Sequence, residues 1–247
     1  MTTQLRNIGE LVTNDPEWGG RYGIIADAAV EYDDGVITWV GTEMQARVRR
    51  ADQVVDVEGR AVIPAFVDSH THLIFAGDRS AEFESRMKGT AYAAGGINST
   101  VLATREASDD ELRELVDGRI DEMHNQGTGT VEIKTGYGLT VDHEVRLARI
   151  AREFTEDVTF LGGHVVPPEF ADNSDAYVDL VCGAMLDAVA PFAKWIDVFT
   201  EEGAFTVAQS RRILEAGMMA GLRPRIHAAQ LGPSDSVRMA VSLGATG

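Results

Sequence analysis

The fold is indicated first by the segment Val62-Ile-Pro-Ala-Phe-Val-Asp-Ser-His-Thr-His-Leu-Ile-Phe75. Its apolar run is rich in Val, Ile and Phe, which is typical of a buried β-strand. Near its end are His70 and His72, and side chains two positions apart on a strand point to the same side. Two neutral imidazoles held side by side form half of a Zn²⁺ or Fe²⁺ site. Taken alone, the pattern also fits polar residues at a strand end. Evidence from the rest of the chain is needed to choose between a metal site and a polar strand end.

After residue 75 the chain alternates predicted strands with predicted helices. Strand ends from Lys134 onward are spaced by about 30 residues, which is the size of a βα unit. Five strands, each followed by a helix, indicate an α/β fold, a TIM-like (β/α) barrel. The chain enters a sixth predicted strand near Gly244, so we expect a barrel truncated after about five βα units. The predicted helices occupy residues 108–127, 141–154, 174–191, 206–221 and 234–243.

The residues before this stretch follow a different pattern. Short predicted strands surround Asp33-Asp-Gly35, a combination that favours a β-hairpin. We therefore predict a small N-terminal β-sandwich module over residues 1–61 and the barrel over residues 62–247.

Composition limits the possible partners. The chain has 39 acidic and 22 basic residues and a net charge of −17, which argues against binding to nucleic acid or to an anionic membrane. No run of about 18 apolar residues is present, and the N-terminus lacks a signal-peptide pattern. The single cysteine, Cys182, permits no internal disulfide, so a cytoplasmic location is expected. The acidic, lysine-poor surface is similar to that of halophilic proteins, although an ordinary acidic cytosolic enzyme is the alternative.

Four of the six histidines lie at predicted strand ends: His70, His72, His164 and His227. In a parallel barrel these ends meet at one face, where catalytic groups collect. This convergence favours a metal site over a polar strand end. For Asp68 a hydrogen bond within the strand end is expected rather than metal ligation. The other two histidines fall on predicted helices and are expected to face solvent.

Six runs of sequence carry a resemblance to a known family: Val67-Asp-Ser-His-Thr-His-Leu73, Phe75-Ala-Gly-Asp-Arg79, Gly95-Gly-Ile-Asn-Ser-Thr-Val101, Val131-Glu-Ile-Lys-Thr-Gly-Tyr-Gly-Leu139, Phe160-Leu-Gly-Gly-His164 and Ile226-His-Ala-Ala-Gln-Leu231. In this order they resemble the imidazolonepropionases, which are members of the amidohydrolase superfamily in histidine degradation. His-x-His alone marks the superfamily. The Ala-Gly-Asp-Arg, Thr-Gly-Tyr-Gly-Leu and Gly-His segments together are much more specific.

The resemblance implies an activity and a metal site. The activity is metal-dependent hydrolysis of the cyclic amide 4-imidazolone-5-propanoate to N-formimidoyl-L-glutamate. His70, His72 and His227 would bind one divalent metal ion, Zn²⁺ or Fe, because imidazole suits both metals. No lysine is available to bridge a second metal after the strand that ends in Phe199-Thr-Glu-Glu202. A homodimer is expected by analogy.

The resemblance also implies substrate contacts. Arg79 would bind the substrate carboxylate with its planar guanidinium group, or it forms a surface ion pair with Glu82. Tyr137 and His164 would hydrogen-bond the substrate, with His164 and His227 as the catalytic histidines. The alternatives are packing of a glycine turn for Tyr137 and a satisfied strand-end histidine for His164. Gln230 would face the substrate ring, or it makes a loop contact.

The sequence departs from the family pattern in several places. Ala229 stands where an acidic residue is usual, and Ala65 where a glycine is usual. A fourth metal ligand, an aspartate, and a further active-site histidine are expected beyond Gly247. Two other functions therefore stay open: another amidohydrolase, such as a deaminase or a cyclic amidase, and a non-catalytic fragment.

Overall fold

The structure is a computed structural model that describes residues 1–78, 80, 84, 87–88 and 97–247. Arg79 and Glu82, which the sequence analysis singles out, lie outside the described residues. The chain divides into two compact units, Met1–Phe66 and Val67–Gly247. No helix in the described part of the chain is both long enough and apolar enough to span a membrane.

The first unit is built on one five-stranded sheet in the order β3-β2-β1-β4, with β5 also paired to β1. The β-sandwich module predicted for residues 1–61 stays a prediction. A short helix, α1 (Glu43–Ala46), follows β3 and has a complete capping box at its start. The strands of this sheet are β1 (Thr3–Val12), β2 (Ile24–Asp33), β3 (Val36–Thr42), β4 (Gln53–Asp56) and β5 (Ala61–Val62).

The predicted hairpin is present in this sheet. β2 pairs antiparallel with β3, and Asp33 lies opposite Val36. The two turn residues, Asp34 and Gly35, have φ angles of 50° and 75°. Such a turn matches the twist of the paired strands and favours Asp-Gly. One face of the sheet carries a small apolar core formed by Ile8, Leu11, Ile25, Ala28 and Val30.

The second unit contains the predicted parallel strands. β8, β9, β10 and β11 pair in that order, all parallel, and β12 also pairs parallel with β10. Near the chain end, Thr246 N–H donates to Pro224 O (3.2 Å) and Ile226 N–H donates to Gly247 O (3.0 Å), so the chain enters the position of a sixth strand. The strands are β6 (Phe66–Asp68), β7 (Thr128–Val131), β8 (Ile133–Lys134), β9 (Val158–Gly163), β10 (Trp195–Thr200), β11 (Arg223–Pro224) and β12 (His227–Ala228).

Helices alternate with these strands and bury one apolar face against them. The best example is α4, where Thr140 caps the first turn and the buried residues include Leu147, Ile150 and Ala151. This helix has the bounds that the sequence predicts. The helices of the unit are α2 (Ile97–Glu106), α3 (Asp109–His124), α4 (Val141–Phe154), α5 (Ser174–Leu180), α6 (Leu186–Val189), α7 (Val207–Met219) and α8 (Ser236–Ser242).

Two predicted elements differ in the structure. The predicted buried strand over residues 62–75 is short and exposed: β6 ends at Asp68, and Phe66 and Val67 are 57% and 69% exposed. Among the described residues only β7 pairs with β6, so the other edge of β6 has no strand partner there. The single helix predicted over residues 174–191 is broken, because Gly183 has φ and ψ of −111° between α5 and α6. Glycine tolerates a conformation that a residue with a Cβ adopts rarely.

Candidate metal centre and active site

Three predicted metal ligands lie together at one end of the parallel strands. His70, His72 and His227 each offer one ring nitrogen, and these nitrogens lie within 4.8 Å of one another. The Nε2 atoms of His72 and His227 are 3.3 Å apart. Two imidazole nitrogens bound tetrahedrally to one Zn²⁺ at about 2.0–2.1 Å would be separated by roughly 3.3–3.4 Å. The donor set and its spacing therefore fit one divalent metal ion.

Backbone hydrogen bonds hold the first two histidines in place. His70 and His72 follow β6 in a segment without regular secondary structure. Lys134 N–H donates to Thr71 O (3.1 Å), which ties this segment to β8. His70 N–H donates to Asp68 Oδ1 (3.1 Å), so Asp68 makes the local hydrogen bond that the sequence analysis expects. His227, in contrast, starts β12, where it lies opposite Phe199 of β10.

Partial burial of the rings favours the neutral form of His70 and His72, which is the form that binds metals. It lowers the pKa of His72 to about 2, with a further contribution from the neighbouring histidines. It also lowers the pKa of His70, helped by the positive charge of Lys134. A neutral imidazole has a lone pair to donate, whereas a protonated one does not. His72 in particular stays neutral over the whole pH range in which enzymes usually act.

A layer of buried charges lies beneath the histidines. Asp197 Oδ2 is 3.0 Å from His227 Nδ1 and 3.0 Å from Lys134 Nζ. Lys134 Nζ is also 2.9 Å from Glu132 Oε1, and Arg225 Nη1 is 3.2 Å from the same oxygen. Lys134, Glu132 and Asp197 are at most 2% exposed. The two carboxylates and two cations cancel in charge, which makes their burial tolerable.

This layer contacts the third candidate ligand, His227. Burial alone would raise the pKa of Asp197, but the interaction with His227 and the charge of Lys134 lower it below its ordinary value. An ionised carboxylate this close to Nδ1 favours the tautomer with the hydrogen on Nδ1, which leaves the lone pair on Nε2, the nitrogen nearest His72. The sequence pattern alone predicts no role at this site for Asp197 or Lys134. A usable signal exists, because Asp197 is the one charged residue inside the strand Trp195–Thr200.

Lys194 comes before the strand that ends in Phe199-Thr-Glu-Glu202. Lys194 pairs with Asp157 at 2.7 Å, before the start of β10. Lys134 is the buried lysine near the site, and two carboxylates already occupy its ammonium group.

Two predicted substrate-binding residues flank the histidines. The Tyr137 ring centroid lies 6.0 Å from that of His72 and 5.1 Å from that of His164. His164 Nδ1 is 2.8 Å from Gly136 O. A carbonyl oxygen can only accept, so Nδ1 carries the hydrogen and Nε2 is the basic nitrogen of the neutral ring. The structure thus brings Tyr137 and His164 to the candidate metal centre.

The remaining predicted site residues are placed differently. Gln230 is exposed, and its backbone N–H donates to Glu201 Oε1 (2.5 Å). It follows Ala229, a non-glycine residue with a φ of 57°, in the loop after β12. A contact between the Gln230 side chain and a substrate ring stays a prediction. Arg79 lies outside the described residues.

Comparison with known proteins confirms the resemblance that the motifs indicate. No protein-family model matches the chain. It is 56% identical over 247 residues to the imidazolonepropionase of Mycolicibacterium smegmatis, a match that covers 99% of this chain and 62% of that protein. It is 55% identical to the enzyme of Salinispora tropica and 53% identical to that of Streptomyces griseus, covering 61% and 63% of them. The chain therefore spans about 62% of the length of the curated relatives it matches.

Solved structures confirm the fold class. The chain is similar to 5-methylcytosine deaminase from Klebsiella pneumoniae with a TM-score of 0.62 at 15% identity, covering 97% of this chain and 55% of that one. An amidohydrolase from a Sargasso Sea sample gives 0.59 at 16% identity, with 98% and 56% covered. Atrazine chlorohydrolase from Arthrobacter aurescens, solved with zinc, gives 0.56 at 17% identity, with 99% and 56% covered. The architecture is thus a partial (β/α) barrel.

Proposed function

We propose that this chain carries the metal-binding and substrate-binding part of an imidazolonepropionase. The reaction is hydrolysis of the cyclic amide 4-imidazolone-5-propanoate to N-formimidoyl-L-glutamate. The observation that carries the proposal is the group of three histidines within 4.8 Å, flanked by Tyr137 and His164, in a chain 56% identical to an imidazolonepropionase.

The proposed metal ligands are His70, His72 and His227, for one ion of Zn²⁺ or Fe²⁺. A divalent ion in such a site lowers the pKa of a bound water towards neutrality and polarises a carbonyl group. Asp197 orients His227 through Nδ1. His72 stays neutral, so protons do not compete for its lone pair near neutral pH.

The other side chains would act on the substrate. His164, with its hydrogen on Nδ1, offers Nε2 as an acceptor that becomes a donor when the ring is protonated. It can therefore hold a proton next to the ring amide. Tyr137, which is 7% exposed and has its ring 5.1 Å from that of His164, would offer its hydroxyl group to the substrate. Arg79 is proposed to bind the propionate as a bidentate pair.

Metal analysis and a hydrolysis assay on the full open reading frame test the proposal together. The wild type should hold one divalent ion and hydrolyse 4-imidazolone-5-propanoate. His70→Ala and His227→Ala should lose the metal and the activity. His124→Ala is the matched control, because this histidine is exposed on α3 and should leave both unchanged.

Two results would end the proposal. Undiminished metal content in both His70→Ala and His227→Ala would remove the metal assignment. Metal binding with turnover of other cyclic ureas, cyclic amides or aminopyrimidines, but not of imidazolonepropionate, would instead indicate a different amidohydrolase.

A further inference from the structure

A buried carboxyl group lies behind the loop that carries Tyr137. Glu144, in the first turn of α4, is fully buried. It accepts hydrogen bonds from the backbone N–H groups of Gly136 (3.1 and 3.2 Å), Gly138 (2.8 Å) and Leu139 (2.9 Å). Successive backbone N–H groups that converge in this way form a concave anion-binding site. Here a side chain of the protein itself fills that site.

The loop adopts a conformation that needs such support. Gly136 has a φ of 104°, and Leu139, which is not glycine, has a φ of 54°. A left-handed conformation costs a residue like leucine roughly 1 kcal/mol or more. Gly138 packs so closely on α4 that a Cβ there would lie 2.7 Å from Glu144 N and 2.9 Å from Glu144 Oε1. The turn and the carboxyl group are therefore fitted to each other.

This turn presents two groups to the candidate site. Tyr137 lies between the donors Gly136 and Gly138, and its ring packs 5.1 Å from His164. The carbonyl of Gly136, whose N–H is bound to Glu144, accepts from His164 Nδ1 at 2.8 Å. A change in the backbone angles of Gly136 would therefore alter the hydrogen bond that selects the His164 tautomer.

We propose that Glu144 is a positioning residue that sets the orientation of Tyr137 and the tautomer of His164. It touches no reacting atom, and it acts through the backbone of the Thr135-Gly-Tyr-Gly-Leu139 loop. Burial raises the pKa of Glu144 above its ordinary value, and the hydrogen bonds from Thr135 and the loop N–H groups oppose this rise, so the charge state of the carboxyl group depends on the same hydrogen bonds that shape the loop. The inference rests on the proposed function only for the identity of the substrate.

The test compares Glu144→Gln with Glu153→Gln in the full open reading frame. Glu153 lies on the same helix, but its carboxylate is on the surface and pairs with Arg113 at 2.8 and 2.9 Å. ¹⁵N NMR of the His164 ring reports its tautomer without any need for turnover. In Glu144→Gln we expect the Nδ1–H form to give way to a mixture, and kcat/KM for imidazolonepropionate to fall by about ten- to a hundredfold. Glu153→Gln should keep both wild-type values.

A second variant covers the case in which Glu144→Gln does not fold. Glu144→Asp keeps the carboxyl group and shortens the reach, so it should show a smaller loss of the Nδ1–H form. An unchanged His164 tautomer in whichever variant folds would overturn the positioning role, even if hydrolysis fell. A changed tautomer in a protein whose wild type does not hydrolyse imidazolonepropionate would reject the proposed function and leave the positioning role standing.

Discussion

Among single residues, Asp197 is expected to support the candidate metal centre without binding the metal itself. Asp197 faces Nδ1 of His227 and the ammonium group of Lys134, both at 3.0 Å. Asp197→Asn should weaken metal affinity by about 10- to 100-fold, because the amide no longer stabilises the metal-binding form of the imidazole. Chelator competition at fixed pH measures this. Asp157→Asn is the control, since it removes the same charge from a lysine pair at the other end of the strands. Equal metal affinities in the two variants would contradict the role of Asp197.

The sequence motif alone predicts that Arg79 binds the substrate carboxylate. A lysine keeps the positive charge but lacks the planar fork that pairs with a carboxylate through two hydrogen bonds. Arg79→Lys should therefore raise KM more than it lowers kcat. Steady-state kinetics decide the matter. If the wild type hydrolysed the amide of the substrate's propionate as efficiently as the acid, Arg79 would have no carboxylate to bind.

The loop between β8 and α4 should tolerate glycine substitution far less well than α3 does. Gly136 has a φ of 104°, and a Cβ there would lie 2.8 Å from Leu161 O. Gly136→Ala should lower the free energy of unfolding by roughly 1–3 kcal/mol. Gly118, on the exposed side of α3, has nothing within 4 Å of an added Cβ. Gly118→Ala should raise stability by about 0.5–1 kcal/mol, since alanine favours helix. Urea unfolding of both variants tests the contrast, and similar changes in both would refute it.

The elements also show what the sequence alone can predict. The helix α4 is predictable from Thr140 and its apolar spacing, because a cap and a helical face are local properties. The grouping of the three candidate metal ligands is predictable because parallel strands bring their ends to one face. The layer formed by Glu132, Lys134, Asp197 and Arg225 is not predictable from the sequence. It joins residues up to 93 positions apart, and their contact depends on which sides of very short strands face each other. The contact of Glu144 with the loop depends on left-handed backbone angles that no residue pattern revealed.

At the scale of the whole molecule, charge should dominate the response to salt. The net charge is −17, and repulsion among like charges opposes the compact state. The Debye length falls to about 3 Å at 1 M salt, so this repulsion is largely screened there. The melting temperature should therefore rise from low to molar KCl. NaCl at equal ionic strength should produce a similar rise, because screening depends on ionic strength. A flat or falling melting temperature would reject a halophilic surface.

An exposed sheet edge should control how the 247-residue chain behaves when it is expressed alone. Among the described residues β6 pairs with β7 alone, and Val67 on this strand is 69% exposed. An apolar edge with unpaired N–H and C=O groups recruits other strands, so we expect concentration-dependent oligomers in size-exclusion chromatography. Val67→Lys should reduce them, because a charged residue on an edge strand opposes pairing. Val241→Lys makes the same change on α8, where valine is 72% exposed, and should leave the oligomers in place. A monodisperse chain that melts cooperatively without either substitution would show that this edge does not control its association.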